Sequence, residues 1–145
     1  MDKHEHEGIL AHQRPAYEKL LAVANACFYS QRHTLPLRLR TNTLLIGASG
    51  SGKTYLAKTV ARHLGVPFFS IAISDWILLG CSQRGALPTW PNIVRFLQKN
   101  SERDGVVIFF DEVDKLSGGS SWERFLRTEV FKLLDLQIPE GLCGS

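Results

Sequence analysis

The chain has 145 residues and a formal charge of +3, from 17 Lys and Arg against 14 Asp and Glu. With 44% hydrophobic and 21% charged residues it has globular composition, which excludes wholesale disorder, and its length allows one domain with a real core. The charge is mild and the acids and bases are interleaved, so nothing in the charge alone argues for nucleic acid.

Residues 1–8, MDKHEHEG, are charged where a secretory leader turns apolar, and no stretch approaches 18 apolar residues. Residues 1–13 read as a polar tail and 14–145 as the folded part. His4 and His6 belong to that tail; no further ligand sits at zinc spacing. Cys27, Cys81 and Cys143 are odd in number and far apart, neither a disulfide framework nor a zinc pattern. The expectation is a cytoplasmic protein with no membrane partner.

Pro15 sits where the first turn of a helix tolerates it, and Tyr17, Leu20, Leu21, Ala24 and Phe28 recur at helical spacing, which predicts a helix over roughly 15–30. Residues 31–41 read as a connector carrying Arg32, His33, Arg38 and Arg40. Thr43 to Ile46 is a brief, continuous apolar run that predicts a strand buried on both faces. A helix follows from Lys53 to Leu64, with one stripe of Leu56, Ala57, Val60, Ala61 and Leu64, ended by Gly65 and Pro67. Pro67 to Ile73 reads as a strand, and 76–90 is ambiguous because Gly80, Gly85 and Pro88 break any period. Trp90, Ile93, Val94 and Leu97 mark another helix. Val106 to Phe110 is a solid apolar strand ending in Asp111-Glu112. A Ser/Gly-rich linker then leads to a helix carrying Trp122, Phe125, Leu126, Val130, Leu133 and Leu134. Strands alternating with helices predict an α/β fold with a parallel sheet.

Gly47-Ala48-Ser49-Gly50-Ser51-Gly52-Lys53-Thr54 matches G-x-x-x-x-G-K-[ST] in full, after a predicted strand and opening a predicted helix. Glycines let the backbone fold around phosphate with its N–H groups inward, and the helix N-terminus adds a favourable dipole. The cofactor-binding set is therefore Gly47, Ala48, Ser49, Gly50, Ser51, Gly52, Lys53, Thr54 and the adjoining Tyr55. Lys53 can reach the β and γ phosphates and the Thr54 hydroxyl can ligate Mg²⁺. The competing reading is a Gly/Ser-rich turn that happens to precede lysine. With Gly at about 7% of residues, such a chance match is on the order of one in a few hundred chains.

Ligands of parallel sheets bind at the carboxyl ends of strands, so Asp111 is expected beside the phosphate loop, holding the Mg²⁺ shell, with Glu112 polarising the attacking water. The bland alternative is a buried strand ending in two solvated acids. Leu116-Ser117-Gly118-Gly119-Ser120 looks like the signature loop of ABC transporters. There, however, the signature precedes the acidic strand, so a flexible linker is the better reading. Small-molecule kinases do not require the Asp-Glu pair.

TNTLLIGASGSGKTYLAKTVARHLGVPFFSI and VVIFFDEVDKL resemble the AAA+ ATPases, the Clp-type protein unfoldases most. The segment EKLLAVANACFYSQ resembles the helix that lies near adenine in those proteins. The resemblance covers about 15–138 and implies a P-loop NTPase of three layers around a parallel sheet. It implies ATP and Mg²⁺ as cofactors, Lys53 and Thr54 on phosphate and metal, Asp111 on the metal and Glu112 as catalytic base. It also implies a homo-oligomeric ring acting on protein. Two departures accompany it. Leu79–Gly85, where unfoldases carry an aromatic–hydrophobic–glycine grip, has no aromatic at its tip. The next strand, arginine finger and helical lid are expected beyond Ser145, so the 145 residues are expected to be a truncated core, weak or inactive in hydrolysis by themselves. The expected sheet order, 5-1-4-3-2, would leave a slot between the phosphate-loop strand and the Asp111 strand. The alternatives kept open are a DNA-handling AAA+ protein, supported only by the basic connector, and a non-catalytic nucleotide-binding fragment.

Overall fold

In the computed structural model of the protein, residues 9, 11–33, 42–82 and 89–135 are described. They form α1 (Arg14–Arg32), α2 (Lys53–Leu64), β1 (Phe68–Ala72), α3 (Ile73–Ser82), α4 (Thr89–Lys99), β2 (Val107–Asp111) and α5 (Ser121–Leu134), with 3-10 turns at Ala11–Gln13 and Val113–Ser117. The chain divides into two compact units, one of residues 1–68 with 102–107, the other of 69–101 with 108–145.

The first unit is built on two helices. Pro lies in the first turn of α1, where its missing N–H is no loss. Tyr17 of α1 is buried with Leu56 and Val60 of α2, flanked by Leu20, Leu21, Ala24 and Leu64. The His63 ring meets Tyr17 edge-on at 6.3 Å. α2 ends in a Schellman motif: Val66 N–H donates to the Ala61 carbonyl at 3.0 Å and Gly65 N–H to that of Arg62 at 3.1 Å. The Arg103 guanidinium donates to the Gly65 carbonyl at 3.1 Å. Gly105 is required by close approach, since a Cβ there would lie 2.2 Å from the Phe28 ring.

The second unit surrounds a two-stranded parallel sheet in which β1 pairs with β2. Ile71 of β1, Ile73 and Trp76 of α3, Ile93 of α4, and Leu126, Val130 and Leu133 of α5 make its core, with Leu116 from the second 3-10 turn. Phe69 and Phe96 stack at 4.9 Å beside it. The stretch 76–90, ambiguous in sequence, is helical through Ser82, and Gly80 is accommodated inside α3.

One predicted element is absent. Residues 42–48 are not in a strand, and the expected two-sided burial of Thr43–Ile46 is reversed: Leu44 is 71% and Ile46 89% exposed. Leu45 alone packs inward, against the Tyr17 cluster. A strand is defined by its ladder, and among the described residues β1 and β2 pair with one another. Residues 43–46 therefore keep their apolar sequence without the neighbour that would bury it. No helix among the described residues is long and apolar enough to cross a membrane.

Candidate functional site: a phosphate loop and an acidic strand end

The phosphate loop belongs to the first unit. Ser49 and Gly50 form its turn, closed by Ser51 N–H donating to the Ala48 carbonyl at 3.1 Å. Gly52 takes φ +87° and ψ +22°, a left-handed conformation that a residue with a Cβ adopts only at a cost. This conformation turns the chain into α2, whose first internal bond runs from Leu56 N–H to the Gly52 carbonyl at 2.9 Å. No side chain caps α2 and its first turn holds no acid. The leading N–H groups and the positive end of the helix dipole are thus set for an anion.

Lys53 bends back over its own loop. Its ammonium donates to the Gly47 carbonyl at 2.7 Å and the Ala48 carbonyl at 2.9 Å, closing the loop into a ring. Thr54 and Tyr55 are exposed at the opening of α2. The whole predicted set from Gly47 to Tyr55 is therefore brought together.

The acidic pair belongs to the second unit. Asp111 is the last residue of β2, and its Oδ1 accepts the Glu112 N–H at 2.8 Å, which fixes the carboxylate at the strand's carboxyl end. Glu112 has φ +59° and ψ +39°, the one non-glycine residue with positive φ among those described. Such a conformation costs about 1–3 kcal/mol and is found where surroundings over-determine it. Here the Ser74 hydroxyl donates to Glu112 Oε2, and Lys115 N–H donates to the Glu112 carbonyl at 3.0 Å. The turn beyond is pinned by Arg127 of α5, whose Nε donates to the Leu116 carbonyl and Nη2 to that of Gly118, both at 2.9 Å. Residues 117–119, expected to be a loose linker, are thus tied down at one point.

Sequence reading missed Gln13, Ser74 and Arg127. Ser74 lies just past the end of β1, a position that points to the acidic strand end only through the pairing of β1 with β2. Gln13 closes what was read as a polar tail, yet it is buried and its amide donates to the Ser51 carbonyl at 2.9 Å. Of the other residues singled out in the sequence, His4 and His6, Arg38 and Arg40 of the connector, Cys143, and Gln83–Gly85 of the loop compared with the unfoldase grip lie outside the described residues.

Residues 43–136 match the ATPase family associated with various cellular activities (AAA). The chain is 40% identical over 115 residues to the ATP-dependent Clp protease ATP-binding subunit ClpX of Treponema denticola, covering 73% of this chain and 26% of that protein. It is 37% identical over 79 residues to the ATP-dependent zinc metalloprotease FtsH of Rhodothermus marinus, covering 54% and 11%. The FtsH of Ralstonia pickettii is 41% identical over 80 residues, covering 54% and 10%. The chain thus spans between about a tenth and a quarter of the length of these relatives.

Proposed function

The chain belongs to the AAA family of ATPases, and on that premise we propose that it binds ATP with Mg²⁺ and, within a ring of like subunits, couples hydrolysis to remodelling or unfolding of proteins. The observation that carries the nucleotide part is the closed loop of Gly47–Lys53 on the uncapped N-terminus of α2. Backbone N–H groups and a helix dipole favour phosphate there, and Lys53 adds the full charge that neutralises its oxygens.

Each unit offers an oxygen of the kind Mg²⁺ takes, the exposed Thr54 hydroxyl in the first and the Asp111 carboxylate in the second, and such donors suit a hard cation that keeps several waters. The ion, when bound, offsets charge on the phosphates. Glu112 acts as base toward the attacking water, its carboxylate oriented by Ser74. Protein as the substrate class is supported by the relatives, whose names join ATP to proteolysis. A cytoplasmic setting remains part of this reading, supported by the cysteine pattern.

The test of the roles uses an assembled protein that is active to begin with. Glu112→Gln keeps shape and removes the base, so it binds ATP and fails to turn it over. Asp111→Asn weakens the Mg²⁺ dependence of binding. Unchanged steady-state hydrolysis in Glu112→Gln contradicts the assignment.

A further inference from the structure

We infer that Gln13 is a positioning residue for the phosphate loop: its side-chain amide holds the Ser51–Gly52 peptide in the orientation that presents the Gly52 N–H to phosphate. The inference rests on the nucleotide-binding reading of residues 47–55.

Gln13 lies in the turn before α1, 38 residues from Ser51 in sequence, and is only 6% exposed. Its Nε2 donates to the Ser51 carbonyl at 2.9 Å. A peptide unit is planar, and in the trans form its C=O and N–H point in opposite directions; the described chain contains no cis peptide. Holding the Ser51 carbonyl toward Gln13 therefore aims the Gly52 N–H away from it. The same amide occupies the space a side chain at residue 52 would need, since a Cβ on Gly52 would lie 2.3 Å from Gln13 Nε2. The left-handed Gly52 and the buried Gln13 are thus fitted to each other.

The other half of the amide explains why a packing role alone is insufficient. Gln13 Oε1 is buried, and among the described residues none donates to it. A buried carbonyl oxygen without a partner is costly, and Met or Leu would fill similar volume without that cost. The donor to Ser51 is what glutamine supplies and an apolar residue would not. The tie also links the residues that precede α1 to the mouth of α2, so a shift of the turn at Ala11–Gln13 would be felt at the phosphate loop.

The experiment measures the affinity of the 145-residue chain for a fluorescent ATP analogue with Mg²⁺ between pH 5 and 8. It compares wild type, Gln13→Glu, Gln13→Met and Lys53→Ala, each ratioed to wild type at the same pH. Gln13→Met removes the donor and should weaken binding about tenfold at every pH, from an unsatisfied Ser51 carbonyl. Gln13→Glu should be weak at pH 8, where its carboxylate cannot donate. It should recover toward wild type as pH falls, because a protonated carboxyl again offers a hydrogen to Ser51, and burial raises the pH at which it protonates. The decisive comparison is at pH 5, where Gln13→Glu should bind more tightly than Gln13→Met. Relief of charge repulsion alone would bring the two only to equality. Equality at pH 5, or wild-type affinity in both variants at pH 8, overturns the inference while Lys53→Ala still loses binding. If wild type and Lys53→Ala bind alike, the nucleotide reading itself falls, and this inference with it.

Discussion

At the level of single residues, the acidic strand end combines chemistry with backbone strain. Glu112 is held left-handed, although only glycine takes that conformation without penalty. Glu112→Gly should therefore unfold at the same or a higher urea concentration than wild type. Glu112→Val, whose branched side chain suits that conformation least, should lose about 1–2 kcal/mol. A glycine variant markedly less stable than wild type would show that the backbone there is unstrained. Ser74→Ala removes the hydroxyl that donates to Glu112. In an active assembly it should lower turnover with little change in ATP affinity, because it acts on the base rather than on the phosphate loop. Parallel loss of affinity in a binding titration would contradict that division. These two residues also mark different degrees of legibility. Glu112 follows an apolar strand and an aspartate and is readable from spacing. Ser74 becomes readable only once β1 is known to pair with β2. Gln13 was hidden altogether, because a contact spanning 38 residues leaves no local pattern.

Among elements, those punctuated by glycine and proline were the most legible. α2 starts and stops where the sequence predicts, because Gly52 and Gly65 supply the left-handed ends and one apolar stripe faces Tyr17. β1 and β2 form where the two apolar runs predict strands, and their pairing agrees with the adjacency in the sheet order that the family resemblance implied. The run at 43–46 shows the limit of such reasoning. Apolar, β-prone sequence states a preference, whereas a strand also needs a neighbour for its backbone, and that information lies elsewhere in the chain. The exposure of Leu44 and Ile46 predicts that Leu44→Ser and Ile46→Thr each change the stability of this chain by less than about 0.5 kcal/mol. Trp76→Ala, in the buried core of the second unit, should cost about 3–5 kcal/mol. Gly105→Ala should cost about 1–3 kcal/mol through its clash with Phe28. Equilibrium urea unfolding compares all four. A large loss from Ile46→Thr would show that residues 43–46 are buried in solution.

For the whole molecule, the two units carry separate cores, one around Tyr17 and one around Trp76; the residues proposed for phosphate belong to the first and the acidic pair to the second. The residues proposed to bind phosphate all lie together: loop, lysine, uncapped helix and the Gln13 tie belong to the first unit. The central claim is accordingly that this chain binds nucleotide phosphate through that loop. The most direct measurement is a calorimetric titration of Mg²⁺-ATP into the 145-residue protein and into Lys53→Ala. Lys53 makes its two hydrogen bonds from an exposed position, so its removal should leave the fold intact. Saturable binding by wild type, weakened at least tenfold in Lys53→Ala with unchanged urea unfolding, is the predicted result. Equal affinity of the two proteins would contradict the account.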